Sequence, residues 1–335
     1  MSGGTPGKAA RHQPPRGVLL LGATTPLGRR LCEELLKEPG LQAVLAVALE
    51  PREQTRLPGD PRLTYQQVDL TRPRHMHRLL FGAARELGVD VMVHIAMHRT
   101  YERGPRVHAQ NVEALRWLLT LSERHPTLRR LVFRSSVEVY RVQENLPTLI
   151  TEDHPLDFSA DAPQWVRDRV EADVLACMRM GMSPLEVAVL RCSELLAPGS
   201  GSQLHDYLSA PVCLRSAGFD PMLNVLSLPD ATDAFLRAIR GNGVEGIFNI
   251  PGADTLPLTE CIRRWGRPSL PLPGPLLTPA YQLRRRFVGS QFSYRIYRGR
   301  FHLAAILDGR RAREALGYTP QHHISWPTAQ SPGPG

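Results

Sequence analysis

Gly22 and Gly28 stand six residues apart, with Thr25 midway, directly after the apolar run Val18-Leu19-Leu20-Leu21. Behind them, Arg29-Arg30-Leu31-Cys32-Glu33-Glu34-Leu35-Leu36 carries apolar residues at helical spacing. A buried strand, a glycine turn and a helix in that order can hold phosphate. The turn lets backbone come close, and the helix N-terminus offers unpaired N–H groups to an anion. The expected contacts to a dinucleotide are Gly22, Thr24, Thr25, Leu27 and Gly28. The spacing differs from G-x-G-x-x-G. A Cβ at Thr25 is expected to crowd the phosphates or forbid a positive φ. The acid that meets an adenosine ribose should end the second strand, near Ala48. Glu50 comes two residues later and on the same strand face. Arg52 is the competing candidate, for a 2′-phosphate.

The elements that must position these residues alternate. Residues 43–49, 63–68, 89–96, 128–135 and 185–190 read as strands, and 76–87 and 107–124 as helices. Such alternation implies α/β architecture: a doubly wound parallel sheet with right-handed crossovers. Beyond residue 192 the pattern loosens and proline becomes frequent. There 230–240 reads as a helix, 246–250 as a short strand, and the Pro-rich 268–279 as irregular. The organisation expected is a disordered tail at 1–16, a dinucleotide-binding domain at 17–192, a smaller C-terminal lobe at 193–325 and a flexible tail at 326–335.

Further segments follow in a fixed order. They are Val68-Asp69-Leu70, Val93-His94-Ile95-Ala96, Asn111-Val112 and Val132-Phe133-Arg134-Ser135-Ser136-Val137-Glu138-Val139-Tyr140. After them come Leu190-Arg191, Leu228-Pro229-Asp230-Ala231 and Arg313-Glu314-Ala315-Leu316-Gly317-Tyr318. With the Gly-Ala-Thr opening of the turn, the chain resembles extended short-chain dehydrogenase/reductase proteins, the NAD-dependent epimerase/dehydratase family, over roughly residues 17–317. The resemblance implies a Rossmann-type fold and NAD or NADP as cofactor. It places Asp69 and Leu70 at the adenine, His94, Ala96 and Asn111 beside the cofactor, and Ser136 at the catalytic serine.

The family's Y-x-x-x-K pair should follow that serine. Trp165 falls on the tyrosine position and Arg169 on the lysine position. An indole N–H only donates and an arginine stays protonated, so neither replaces the phenol in proton transfer. Lysine occurs only at Lys8 and Lys37, so no such pair exists elsewhere. Arg169 could still hold cofactor ribose or phosphate, and Tyr140 is a candidate rescuer four residues from Ser136. Arg141, where the family commonly has glycine, is expected to narrow the substrate entrance. The resemblance thus implies a catalytically degenerate member acting as sensor, scaffold or partner subunit. The alternative is an active enzyme on a nucleotide-sugar, sterol-like or lipid-linked substrate with a substituted proton path.

Composition bounds the rest. Cys32, Cys177, Cys192, Cys213 and Cys261 are dispersed without C-x-x-C spacing, which fits a reducing, cytoplasmic setting and no disulfide or zinc framework. His75-Met76-His77 and His322-His323 lack a third ligand at useful spacing, so no metal is expected. No apolar run reaches transmembrane length. The net charge is +9, and nine arginines face one acid between Arg284 and Arg313. Phe287, Phe292, Tyr294, Tyr297 and Phe301 interleave them. The stretch from Arg284 to Arg300 is therefore expected to meet an anionic membrane surface, giving peripheral attachment, or an acidic protein. No nucleic-acid motif accompanies it, and a homodimer is left open.

Overall fold

The computed structural model describes residues 11–12, 14–97, 104–288 and 292–327. Its centre is a seven-stranded, wholly parallel sheet: β1 Gly17–Leu21, β2 Ala43–Ala48, β3 Leu63–Gln67, β4 Val91–His94, β5 Arg130–Ser136, β6 Glu186–Cys192 and β7 Gly246–Ile250. The spatial order is β3-β2-β1-β4-β5-β6-β7. Every residue of β1 and β2 is buried, because helices cover both faces and neither face can be polar. Along β1 the side chains alternate. Val18 and Leu20 pack in one core with α1 (Pro26–Leu35) and Leu228–Arg240. Leu19 and Leu21 pack in the other with Pro73–Arg78, Ala114–Ser122 and Gln164–Cys177. The sheet draws its last strand from beyond residue 192.

Chain order reverses between β1 and β4, so a crevice opens beyond their carboxyl ends, where open α/β sheets bind ligands. The C-terminal lobe lies alongside. Glu194–Leu195 follows β6 and pairs with Met222–Leu226, which also pairs with Asp254–Pro257. Tyr207, Tyr281, Phe292, Tyr294, Tyr297 and Phe301 form this lobe's core.

Two expectations fail in this lobe. The stretch 268–279 is not irregular: Ser269–Leu272 pairs in parallel with Cys213–Ser216, and Gly274–Val288 is a helix containing Pro279. Burial of Leu277 and Tyr281 in the aromatic core holds that helix despite the backbone bond that proline removes. Nor do the aromatics interleave the arginines on a surface. Phe292, Tyr294, Tyr297 and Phe301 point inward. Arg284 donates to Val212 O, Arg295 to Asp161 O, and the buried Arg300 to Val137 O. The described aromatics of this stretch therefore build core, while Arg285, Arg286, Arg295 and Arg298 stay exposed without them.

At the N-terminal end, Arg11–His12 pairs antiparallel with Gly241–Asn242. At the other end Asp230 accepts from the Gln321 and His322 N–H groups, and Trp326 is buried. The remaining parts of both expected tails, 1–10 and 328–335, lie outside the described residues. No helix among the described residues is long and apolar enough to cross a membrane.

Candidate functional site

The glycine turn closes against β4. Gly22 has φ +96°, which an L side chain rarely adopts, and a Cβ there would meet the Ala96 backbone at 3.0 Å. At Gly28 a Cβ would lie 2.3 Å from Gly22 O, so only glycine lets α1 start this close to the strand. Thr25 needs no positive φ, contrary to expectation. Its φ is −67°, and it caps α1, its Oγ1 accepting from Gly28 N–H at 2.9 Å and donating to Gly22 O at 2.9 Å. Pro26 has no N–H, and Arg29 N–H bonds Thr25 O. Leu27 N–H is therefore the first-turn donor left for an anion, while the Leu27 side chain is buried in the core.

This turn walls a cleft of about 360 Å³ that brings together Gly22, Thr24, Thr25, Glu50, Asp69, Leu70 and Ala96. Glu50 accepts from Thr24 Oγ1 at 2.9 Å. Arg52 does not face the cleft: its guanidinium donates to Thr55 Oγ1 and Pro58 O and braces its own loop. Asp69 is braced by Thr71 and Arg72.

Two residues expected beside the cofactor lie elsewhere. His94 is fully enclosed against Phe133, with neither ring nitrogen partnered, and burial pushes its pKa down to about 4. Asn111 is buried and donates to Asp168 Oδ2 at 3.4 Å. Asp168 also meets His108 Nδ1 at 3.0 Å and Gln164 Nε2, so this carboxylate fastens one helix to another.

Ser136 ends β5 and lines a separate, small cavity of about 40 Å³ with Arg134, Glu138, Arg169, Ser193, Glu194 and Ser202. Its hydroxyl is buried with no partner. Trp165 and Arg169, one turn apart on Gln164–Cys177, stack on each other, the guanidinium carbon 3.5 Å from the indole ring centre. Arg169 Nε lies 3.9 Å from Glu138 Oε2, and burial pushes the arginine pKa down to about 10. Trp165 also borders a groove of about 340 Å³ with Tyr281, Tyr294, Arg295 and Arg298.

Tyr140 is spoken for. Its hydroxyl donates to Asn249 Oδ1 at 2.6 Å and accepts from Arg191 Nη1 at 3.0 Å, and burial pushes its pKa up to about 12. Arg191 pairs with Asp173 at 2.6 Å, and Asp173 also accepts from Ser135 Oγ at 2.5 Å. This network joins three strands to a helix and holds the Tyr140 proton in a bond to Asn249. Arg141 is exposed on another face, away from both cavities, and does not narrow an entrance. Sequence reasoning missed Ser193 and Glu194. The available signal was an acid between the end of an apolar strand and Leu195-Leu196. Among the described residues no group of three or more His, Cys, Asp or Glu could hold a metal.

Comparison with known proteins agrees with this geometry. The family described as NAD dependent epimerase/dehydratase matches residues 18–209. An uncharacterized protein of Mycobacterium tuberculosis is 30% identical over 331 residues, spanning 95% of this chain and 83% of that one. The dTDP-glucose 4,6-dehydratase of Bacillus anthracis, solved with NAD, has a similar fold (TM-score 0.67, 16% identity, 91% and 92% of the two chains). So does the UDP-glucuronic acid 4-epimerase of Bacillus cereus, solved with UDP-glucuronic acid and NAD (TM-score 0.67, 14% identity, 92% and 95%).

Proposed function

The chain belongs to the NAD-dependent epimerase/dehydratase family, and from that premise we propose that it binds NAD in the Gly22–Glu50 cleft and has lost the family's tyrosine–lysine proton route. The observation that carries the loss is the Arg169 guanidinium stacked on the Trp165 ring at the two positions that matter. Even pushed down to about 10, arginine remains charged near neutrality. Indole has no proton to exchange there.

The cofactor reading rests on the cradle. Leu27 N–H would face the pyrophosphate, Glu50 would accept from ribose hydroxyls, and Asp69 and Leu70 would flank the adenine. The Glu50 carboxylate repels a 2′-phosphate and Arg52 is occupied, so NAD is favoured over NADP. Bound there, NAD supplies a hydride acceptor. A ligand oxygen near Ser136 receives the hydrogen bond that its hydroxyl lacks in the protein. Arg295 and Arg298 give the neighbouring groove a cationic wall suited to a diphosphate, which makes a nucleotide sugar, as named for the Bacillus cereus relative, the favoured ligand class. Five free cysteines, four of them buried, suit the cytoplasm.

A protein of this kind serves as a sensor, scaffold or partner subunit. A second reading, an enzyme with a substituted proton path, is favoured by one observation: a buried carboxyl, Glu194, shares the cavity with Ser136. The test restores the missing pair. Trp165→Tyr with Arg169→Lys should reduce NAD with UDP-glucose or UDP-glucuronic acid about 10²-fold or more faster than the native chain, the usual worth of general acid–base catalysis. Native turnover equal to that of the double variant would overturn the proposal.

A further inference from the structure

Four of the eleven large apolar side chains exposed among the described residues, Val212, Leu270, Leu276 and Leu283, lie on one helix or beside it on the strand pair that carries it. The helix is Gly274–Val288, and the strands are Cys213–Ser216 and Ser269–Leu272. Two bonds fasten the helix to them: Tyr281 OH donates to Leu214 O at 2.6 Å, and Arg284 donates to Val212 O.

Helical spacing divides Gly274–Val288 into three faces. Leu277 and Tyr281, four apart, enter the aromatic core. Thr278, Gln282 and Arg285 line the groove that Trp165 borders. Leu276 and Leu283, seven apart, share the third face with the exposed Pro279. These two leucines are 53% and 60% exposed, so this face belongs neither to the core nor to the groove.

The charge around the stripe has one sign. Residues 261–300 hold nine arginines and no acid. Arg263 and Arg264 pair with Glu260, and Arg300 is buried. Arg286 is exposed about one turn beyond Leu283, and Arg267 is exposed just ahead of Ser269–Leu272. An aliphatic stripe edged by arginine suits the boundary of an anionic bilayer: leucines enter the acyl edge while guanidiniums meet lipid phosphate. The stripe carries no Tyr or Trp, the residues that anchor protein partners in preference to Leu.

We propose that the outer face of Gly274–Val288 docks the protein on an anionic lipid surface, with Leu276 and Leu283 in the acyl boundary and Arg286 at the phosphates. Leucines thus take the part that the inward-facing aromatics of this lobe do not play. The attachment is peripheral, since no helix among the described residues is long and apolar enough to cross a membrane. It requires neither a bound dinucleotide nor a substrate.

The test is co-sedimentation of the full chain with vesicles of phosphatidylcholine, alone or with about 30% phosphatidylglycerol, at about 50 and about 300 mM NaCl. The native chain should bind the anionic vesicles about tenfold better or more, and less well at the higher salt. Arg286→Gln should weaken that binding about fivefold. Leu276→Ser with Leu283→Ser should weaken it about tenfold or more, at native melting temperature because both side chains are exposed. Met182→Ser removes a side chain that is 74% exposed outside this lobe and should bind as the native chain does. Leu283→Trp should add emission that lipids brominated in the acyl chain quench. Equal binding to both vesicle types, binding to neither, native binding by the double leucine variant or unquenched emission would each overturn the proposal. A native dimer that the double leucine variant converts to monomer in the absence of lipid would assign the face to a second copy of the chain and overturn it as well.

Discussion

Replacing Gly28 by alanine adds one methyl group at the tightest point of the phosphate turn. The new Cβ would lie 2.3 Å from Gly22 O and 2.8 Å from Ala23 Cα, both backbone atoms. Ordinary contact requires the start of α1 to retreat by about 1 Å. The turn cannot give way instead, because Gly22 N–H and Ala23 N–H both bond Val47 O, at 2.9 and 3.1 Å. Overpacking of this kind costs about 1–3 kcal/mol and loss of the Thr25 cap about 1 more, giving roughly 2–4 kcal/mol. For a chain of this length that lowers the melting temperature by roughly 3–6 °C. The retreat also withdraws Leu27 N–H from the cleft, so the stabilisation of about 2.7 kcal/mol that NAD gives at a hundred times its Kd should vanish. Thermal unfolding with and without NAD measures both effects. Gly82→Ala is the control: its Cβ would meet nothing within 4 Å, and alanine favours helix. A Gly28→Ala protein with native melting temperature and native NAD shift would refute the argument.

Two further outcomes follow from buried charge. Asp173→Asn should cost about 3–5 kcal/mol in urea unfolding, because it strands Arg191; a loss under 1 kcal/mol would show the network to be dispensable. His94 ionises near 4 in the folded chain and near ~6.5 when unfolded. As pH falls the unfolded state takes up the proton first, so stability drops by roughly 3 kcal/mol between pH 6.5 and 4. His94→Leu should flatten that window, and an undiminished slope in the variant would clear His94 as its cause.

The sheet was legible chiefly from β1 and β2, apolar runs that no exposed strand could carry. Ala43–Ala48 is apolar throughout, and Gly246–Ile250 stands at the bounds its pattern suggested. The C-terminal lobe was not legible in the same way. Its aromatic core is drawn from short segments crowded with arginine, where no periodicity separates Tyr294, Tyr297 and Phe301 from their exposed neighbours. Motif spacing located Trp165 and Arg169, yet their stacking and enclosure depend on packing against other segments. Thr25 misled because a missing glycine suggested damage, whereas its hydroxyl builds the cap. Glu194 offered only the weak signal of an acid set between an apolar strand and Leu195-Leu196. Only the pairing of β5 with β6 brings it beside Ser136.

The central claim is that the Gly22–Glu50 cleft holds NAD although the tyrosine and lysine are gone. Isothermal titration of the native chain with NAD and with NADP tests it most directly. The account predicts saturable NAD binding with Kd below about 1 mM. NADP should bind about tenfold more weakly, with the gap closing in Glu50→Gln as the carboxylate charge is removed. No heat from either dinucleotide at several times that concentration, or tighter binding of NADP than of NAD, would contradict it.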